Sequence, residues 1–141
     1  MLKGIPPILS PELMKVLMEM GHGDEIVLAD GNFPAASHSS ILLPGHGHGV
    51  AEFLSAIVEF FPLDTYVTYP VILMDPVEGD EKEPEIWKEY EAIVNNSSDV
   101  PVQIEKMDRM AFYERSKKSY AIIATSERAP YANIILKKGV L

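Results

Sequence analysis

An α/β fold, with helices packed on a central mixed sheet in a single domain spanning residues 1–141, is what the sequence predicts. Three observations predict it. Apolar patterns of helical period alternate with short apolar runs along the chain. The connection SERAPYA between the last two runs is too short for a crossover helix, so at least one strand pair is expected to be antiparallel. A chain of 141 residues, 47% hydrophobic and 23% charged, matches one buried core.

The elements follow in order. Ser10-Pro11-Glu12 starts a helix with a capping hydroxyl, a proline at the first helical position and an acid in the first turn. Leu13, Met14, Leu17 and Met20 follow at helical spacing, and Gly21 is placed for a left-handed cap. Glu25 to Ala29 reads as a buried strand with Asp30 at its carboxyl end. Gly31 to Gly49 reads as a long loop holding a short strand at Ile41-Leu42-Leu43. A second helix carries Val50, Phe53, Leu54, Ile57, Val58 and Phe61 on one face and ends at Pro62. Pro70 to Met74 is a strand and Asp75 to Glu83 an acidic turn. Pro84 opens a third helix with Ile86, Trp87, Tyr90, Ile93 and Val94 on one face. Val100 to Lys106 is a strand, and Asp108 caps a fourth helix through Lys118 with a Glu114–Lys118 pair. Tyr120 to Thr125 and Asn133 to Lys137 are the last two strands.

Composition removes several function classes. A net charge of −9 argues against nucleic acid or an anionic membrane surface as partner, since both need a basic face. With no cysteine there is no thiol nucleophile, disulfide frame or cysteine metal site, and a reducing, cytoplasmic setting fits. No apolar stretch is long enough to span a membrane. No glycine-rich phosphate loop and no nucleophile-elbow serine is present, so nothing supports a nucleotide cofactor or acyl transfer.

Chemistry concentrates in MEMGHGDEIVLADGNFP. His22, open between two glycines where the chain enters a strand, suits proton transfer near neutral pH; it equally suits a helix-terminal histidine bonded to a last-turn carbonyl. Asp30, where the chain leaves that strand, can accept two sugar hydroxyls, as carboxylates at strand ends do; a turn aspartate is the alternative. Arg109 in a first helical turn reads as a hydroxyl or anion clamp or as a surface charge. Tyr131-Ala132-Asn133 offers an aromatic face, a hydroxyl and an amide with both donor and acceptor, or else is a turn with a buried aromatic. His46-Gly47-His48 has the look of a metal pair but lacks nearby ligands to complete a set, so no metal is expected there. Arg115, Lys117 and Lys118 read as a solvated helix face, and Trp87 as core.

The stretch LKGIPPILSPELMKVLMEMGHGDEIVLAD, then NFPA, the Pro76-Val77-Glu78-Gly79-Asp80 turn, Arg109 and AFYERSKKSYAIIATSERAPYANIILKKGV together resemble the RbsD/FucU family of sugar mutarotases and pyranases, nearly end to end. The resemblance implies an isomerase that interconverts the anomers of a free monosaccharide, with no metal or organic cofactor. It implies His22 as catalytic acid, with Asp30, Arg109, Tyr131, Ala132 and Asn133 on the sugar; ring opening also needs a base, for which Tyr131 or a carboxylate are the candidates. It implies a homo-oligomer, in bacterial forms a ring, with sites near subunit contacts. Gly23, Arg109 and AFYER pull towards the fucose-acting branch and Ala132 towards the ribose-acting one, so L-fucose is the expected sugar, D-ribose the second. A non-catalytic sugar-binding subunit is the competing expectation.

Overall fold

The structure of the protein, a computed structural model, describes residues 1–80 and 83–141; Glu81 and Lys82, inside the expected acidic turn, lie outside the described residues. The elements run α1 (Pro11–Glu19), β1 (Glu25–Ala29), α2 (Ala35–His38), β2 (Leu42–Gly45), α3 (Val50–Val58), β3 (Val71–Met74), α4 (Ile86–Asn96), β4 (Ile104–Met107), α5 (Arg109–Lys117), β5 (Ala121–Thr125) and β6 (Ile134–Lys137). Among the described residues six strands form one sheet in the order β2-β5-β1-β6-β3-β4. The pairs β2–β5, β5–β1 and β3–β4 are parallel, while β6 runs antiparallel to both β1 and β3. The sheet is therefore mixed, as expected from the short link before β6.

Alternate side chains of each strand serve opposite faces. Ile26, Leu28, Leu73 and Leu136 face the layer formed by α1, α3 and α4, where Leu13, Leu54, Ile57 and Tyr90 are buried against them. Val27, Ile72, Ile122 and Ile135 face the layer of α2 and α5, packed by Phe33 and Phe112. Each such buried aliphatic side chain contributes about 1.5–3 kcal/mol relative to exposure. Because both faces are covered, β1, β3, β5 and β6 read as near-continuous apolar runs, while the edge strands β2 and β4 do not.

Several local expectations are corrected. Ser10 Oγ does accept the Leu13 N–H at 3.1 Å, but Gly21 does not adopt the left-handed cap. Met20 leaves the helix extended and buried, and the positive φ falls three residues later, at Gly23, whose φ is 86°. The loop from 31 to 49 contains the short helix α2, and its strand is Leu42–Gly45 rather than 41–43. Helix α3 ends at Val58, short of Pro62. The strand expected from Val100 starts only at Ile104, because Pro101 has no N–H and the Val102 N–H is taken by Asn95 Oδ1 at 2.9 Å. Glu114 pairs with Lys117 at 2.9 Å, not with Lys118, which sits past the helix as its C-cap. Arg115 is not on a solvated face: its guanidinium grips the Glu25 carboxylate at 3.0 and 2.6 Å and ties α5 to the start of β1.

The end of β6 is held tightly against the loop after α3. Gly139 donates its N–H to the Pro62 carbonyl at 2.7 Å, and a Cβ there would meet the Leu63 carbonyl oxygen at 2.6 Å and Asp64 Cα at 2.8 Å. Both obstacles are backbone and cannot rotate away. Gly139→Ala is expected to lower stability by about 1–3 kcal/mol, the usual cost of overpacking, read as a reduced denaturation midpoint in urea.

Candidate functional site

Five strands point one way, so their carboxyl ends share an edge of the sheet, where ligands of α/β folds collect. Because β6 runs the other way between β1 and β3, its amino end arrives at that same edge. Asp30 follows β1 and Asn133 precedes β6, and the two interlock. The Asp30 N–H donates to Asn133 Oδ1 at 2.7 Å, and Asn133 Nδ2 donates to Asp30 Oδ2 at 3.1 Å. The Asn32 N–H caps Asp30 Oδ1 at 3.0 Å. Both side chains are buried, Asp30 being 8% exposed. A carboxylate offers about four lone-pair sites; these two bonds hold it in place, and the N–H groups of Phe33 and Ala132 also act on it.

Tyr131 stands beside this pair in the left-handed region, with φ 53°, uncommon for a residue carrying a Cβ. Helix α4 holds it there. The Trp87 indole N–H donates to the Tyr131 carbonyl at 2.9 Å, and the buried Tyr90 hydroxyl donates to the Ala132 carbonyl at 2.8 Å. At the other end of the side chain, the Tyr131 hydroxyl donates to the Asp80 carboxylate and accepts the Val77 N–H at 3.2 Å. The bond to Asp80 pushes the Tyr131 phenol above its ordinary value, opposed by the Val77 N–H and, more weakly, by the charge of Arg109. Arg109 stands at the start of α5, past the end of β4, on the same side of the sheet. Ala132 has no exposed side chain, and what it offers the site is its backbone.

His22 is not in this cleft. It lies at the opposite end of β1, where the Gly23 N–H donates to the Lys138 carbonyl beyond β6. The strand between His22 and Asp30 alone spans about 13 Å at ~3.3 Å per residue. The imidazole meets no last-turn carbonyl. Its Nε2 is 3.1 Å from Asp64 Oδ1, and its ring is 5.3 Å from that of exposed Tyr66. A cavity of about 400 Å³ opens at this end, lined by Asp64, Tyr66, Thr68, Pro70, Val100 and Gln103 among others.

Within one chain, then, the structure brings together Asp30, Asn133, Ala132 and Tyr131 with Arg109 nearby, and sets His22 apart. Nδ1 of His48 meets Glu52 at 2.9 Å, and among the described residues no three His, Asp or Glu side chains converge as a metal set. Sequence reasoning missed Asp64, Asp80, Trp87 and Tyr90. Trp87 and Tyr90, three apart on the buried face of one helix, both carry a donor that must find a partner when buried; that was the available signal. Asp64 sits in a loop with no pattern to mark it, and Asp80 lay in the turn that carries the family resemblance without a role read for it.

The model of the RbsD / FucU transport protein family matches residues 3–141. L-fucose mutarotase from Actinobacillus pleuropneumoniae serotype 5b (strain L20) is 47% identical over 140 residues, covering 99% of this chain and 97% of that protein. The L-fucose mutarotase of Histophilus somni (strain 2336) is 44% identical over the same length and coverage. Among solved structures, the fucose mutarotase of Streptococcus pneumoniae in complex with L-fucose superposes with a TM-score of 0.95 at 49% identity, covering 99% of each chain. Bacillus subtilis RbsD complexed with D-ribose superposes with a TM-score of 0.76 at 26% identity, covering 94% of this chain and 95% of that one.

Burial raises the Asp30 pKa above 3.8, against the N–H groups of Asn32, Phe33 and Ala132 and the Asn133 amide, which pull it down. The folded state therefore keeps this proton to higher pH than the unfolded chain does. Ionising it costs stability as pH climbs from the unfolded value through the raised one. The stability of the protein relative to Asp30→Asn is expected to fall over that interval and to be flat above it, measured by denaturant titrations from pH 3 to 8.

Proposed function

This chain belongs to the RbsD/FucU family, and on that premise we propose that it is an isomerase interconverting the α and β anomers of free L-fucose. The observation that carries the choice of sugar is the likeness along the whole chain to a fucose mutarotase crystallised with L-fucose, at 49% identity against 26% for the ribose-bound relative.

Mutarotation needs two proton transfers. The anomeric hydroxyl loses a proton while the ring oxygen gains one, the C1–O5 bond breaks to the open aldehyde, and closure on the other carbonyl face reverses both. In this reading His22 gives the proton to the ring oxygen. Asp30 and Asn133 hold sugar hydroxyls, and Arg109 clamps another. Tyr131 takes the anomeric proton while its own, already shared with Asp80, passes to that carboxylate. Its remaining lone pair is free for this, since its donor is on Asp80 and one lone pair is on the Val77 N–H. A phenol whose pKa is raised serves better as such a relay than as a standing base.

The separation of His22 from Asp30 along β1 supports a site shared between two copies, the His22 end of one subunit closing the Asp30 cleft of its neighbour. A homo-oligomer, in the form of a closed ring, makes that contact repeat at every interface. The proposal takes the protein to be cytoplasmic; among the described residues no helix is long and apolar enough to cross a membrane.

Saturation-transfer NMR on L-fucose at anomeric equilibrium is the test. Transfer between the α and β signals is expected to accelerate with the protein, and to fall by roughly 10²–10⁴ in His22→Ala, the usual contribution of a general acid. No acceleration, with sugar-dependent chemical shifts, points to the binding-subunit reading instead. Faster exchange of D-ribose than of L-fucose at equal enzyme reverses the choice of sugar. For the shared site, unfolding and refolding a mixture of His22→Ala and Asp30→Asn, each slow alone, is expected to restore exchange; a mixture as slow as its components refutes sharing.

A further inference from the structure

The His46-Gly47-His48 segment has no part in the proposed chemistry, yet it is tied closely to the chain that follows β5. The Gly47 N–H donates to Ser126 Oγ at 2.8 Å, and the Ser126 N–H donates to the His48 carbonyl at 2.9 Å. Next to this tie stands Glu127, half-buried, with a carboxylate that takes three backbone donors. Oε2 accepts the Val50 N–H, at the start of α3, at 3.2 Å. Oε1 accepts the N–H groups of Arg128 at 2.9 Å and Ala129 at 3.0 Å. The backbone of Glu127 is held as well. The Thr125 hydroxyl donates to the Ala29 carbonyl at 2.7 Å and accepts the Glu127 N–H at 3.1 Å. The Glu127 carbonyl accepts the Gly31 N–H at 2.9 Å. Two glycines make room for this residue. A Cβ at Gly49 would meet Glu127 Oε2 at 2.7 Å, and one at Gly31 would meet the Glu127 carbonyl oxygen at 3.2 Å. One residue thus joins the ends of β1 and β5 to the start of α3.

We infer that Glu127 is a positioning residue for the cleft, its carboxylate fixing the chain between β5 and β6 so that Tyr131 and Asn133 arrive in register with Asp30. This rests on the reading of that cleft as the sugar site. Glu127 acts through the chain, since it lies four residues before Tyr131 and six before Asn133. The Gly31–Glu127 bond and the Asp30–Asn133 bonds stitch the same two segments together, one before Tyr131 and the other after it. The charge matters too. A carboxylate accepts on both oxygens, whereas an amide carries donor hydrogens on one side. Because N–H groups aim at both oxygens, a glutamine here would turn its NH2 against either Val50 or the Arg128–Ala129 pair. The carboxylate also sits at the amino end of a nine-residue helix, where negative charge is favoured. Its charge reaches the far support of the loop. Burial raises the Tyr90 phenol most, and the charges of Glu127 and Asp30 raise it further, so that hydroxyl stays protonated and keeps its bond to the Ala132 carbonyl.

Two readouts on the same variants test it. Glu127→Gln is expected to raise the fucose concentration at half-saturation about tenfold, the factor that loss of one hydrogen bond to a charged group brings. The saturated rate of anomer exchange is expected to change less, because Asp80 and Val77 still hold the Tyr131 hydroxyl and His22 lies at the other end of β1. Amide hydrogen exchange is expected to show the Asp30 N–H, held on Asn133 Oδ1 in the unmodified protein, opening faster in the variant. Glu52→Gln is the control. Glu52 bonds His48 and the Gly49 N–H at the same helix start, but among the described residues it has no bond to the chain between β5 and β6, so both readouts are expected to stay put. Should Glu127→Gln fail to fold, Gly49→Ala decides, since its Cβ would press Oε2 aside without removing the charge; the same two changes are expected there. An Asp30 N–H that opens no faster, a half-saturation that does not move, or changes shared equally by Glu52→Gln overturn the inference. If the unmodified protein does not accelerate anomer exchange, the reading of the cleft has failed, and hydrogen exchange still judges Glu127.

Discussion

The reciprocal bond pair between Asp30 and Asn133 is the joint on which the cleft depends. Each residue gives one hydrogen bond and takes one, across two strands running in opposite directions. The pairing exists only because β6 is inserted antiparallel between β1 and β3, which brings its amino end to their carboxyl ends. Burial makes the joint stiff and also makes the ionised carboxylate unfavourable, so the site holds a group under electrostatic load. A carboxylate kept part-desolvated and already oriented loses little further on meeting ligand hydroxyls, the physical advantage such a load would give the proposed sugar site.

Around the joint, strain and support are matched. Tyr131 occupies a backbone region that a side chain disfavours, and a helix remote in sequence compensates with two donors aimed at successive carbonyls, from Trp87 and Tyr90. The turn at 76–80 anchors the far end of the same side chain through Val77 and Asp80. Tyr131 is thereby fixed at its backbone and at its hydroxyl, and it is a rigid contact rather than a mobile flap.

At the other end of β1 the same design recurs with different residues. A buried carboxylate, Asp64, is pinned to β6 and holds an exposed histidine. In the proposed mechanism the two ends of one strand carry complementary chemistry, hydroxyl-binding groups at one and a proton-transferring group at the other. A strand cannot fold its two ends together, which is the geometric ground for the proposal of a site shared with a second copy of the chain.

How much of this was legible in the sequence follows from the range of each interaction. Helical spacing, the Ser10 and Asp108 caps, and the buried runs of β1, β3, β5 and β6 are written locally, because they depend on neighbours within a few residues. The sheet's mixed character was legible for the same reason, from one connection too short to cross over. His22, Asp30, Arg109 and the 131–133 stretch stood out by residue type and by resemblance. What only the tertiary structure decided is who faces whom: that Asp30 meets Asn133 at a separation of 103 residues, that Arg115 reaches Glu25, that Trp87 braces Tyr131, and that His22 answers to Asp64 rather than to Asp30. These pairings are set by strand order, and strand order is decided by burial of the whole sheet between two helical layers. No window of sequence contains it.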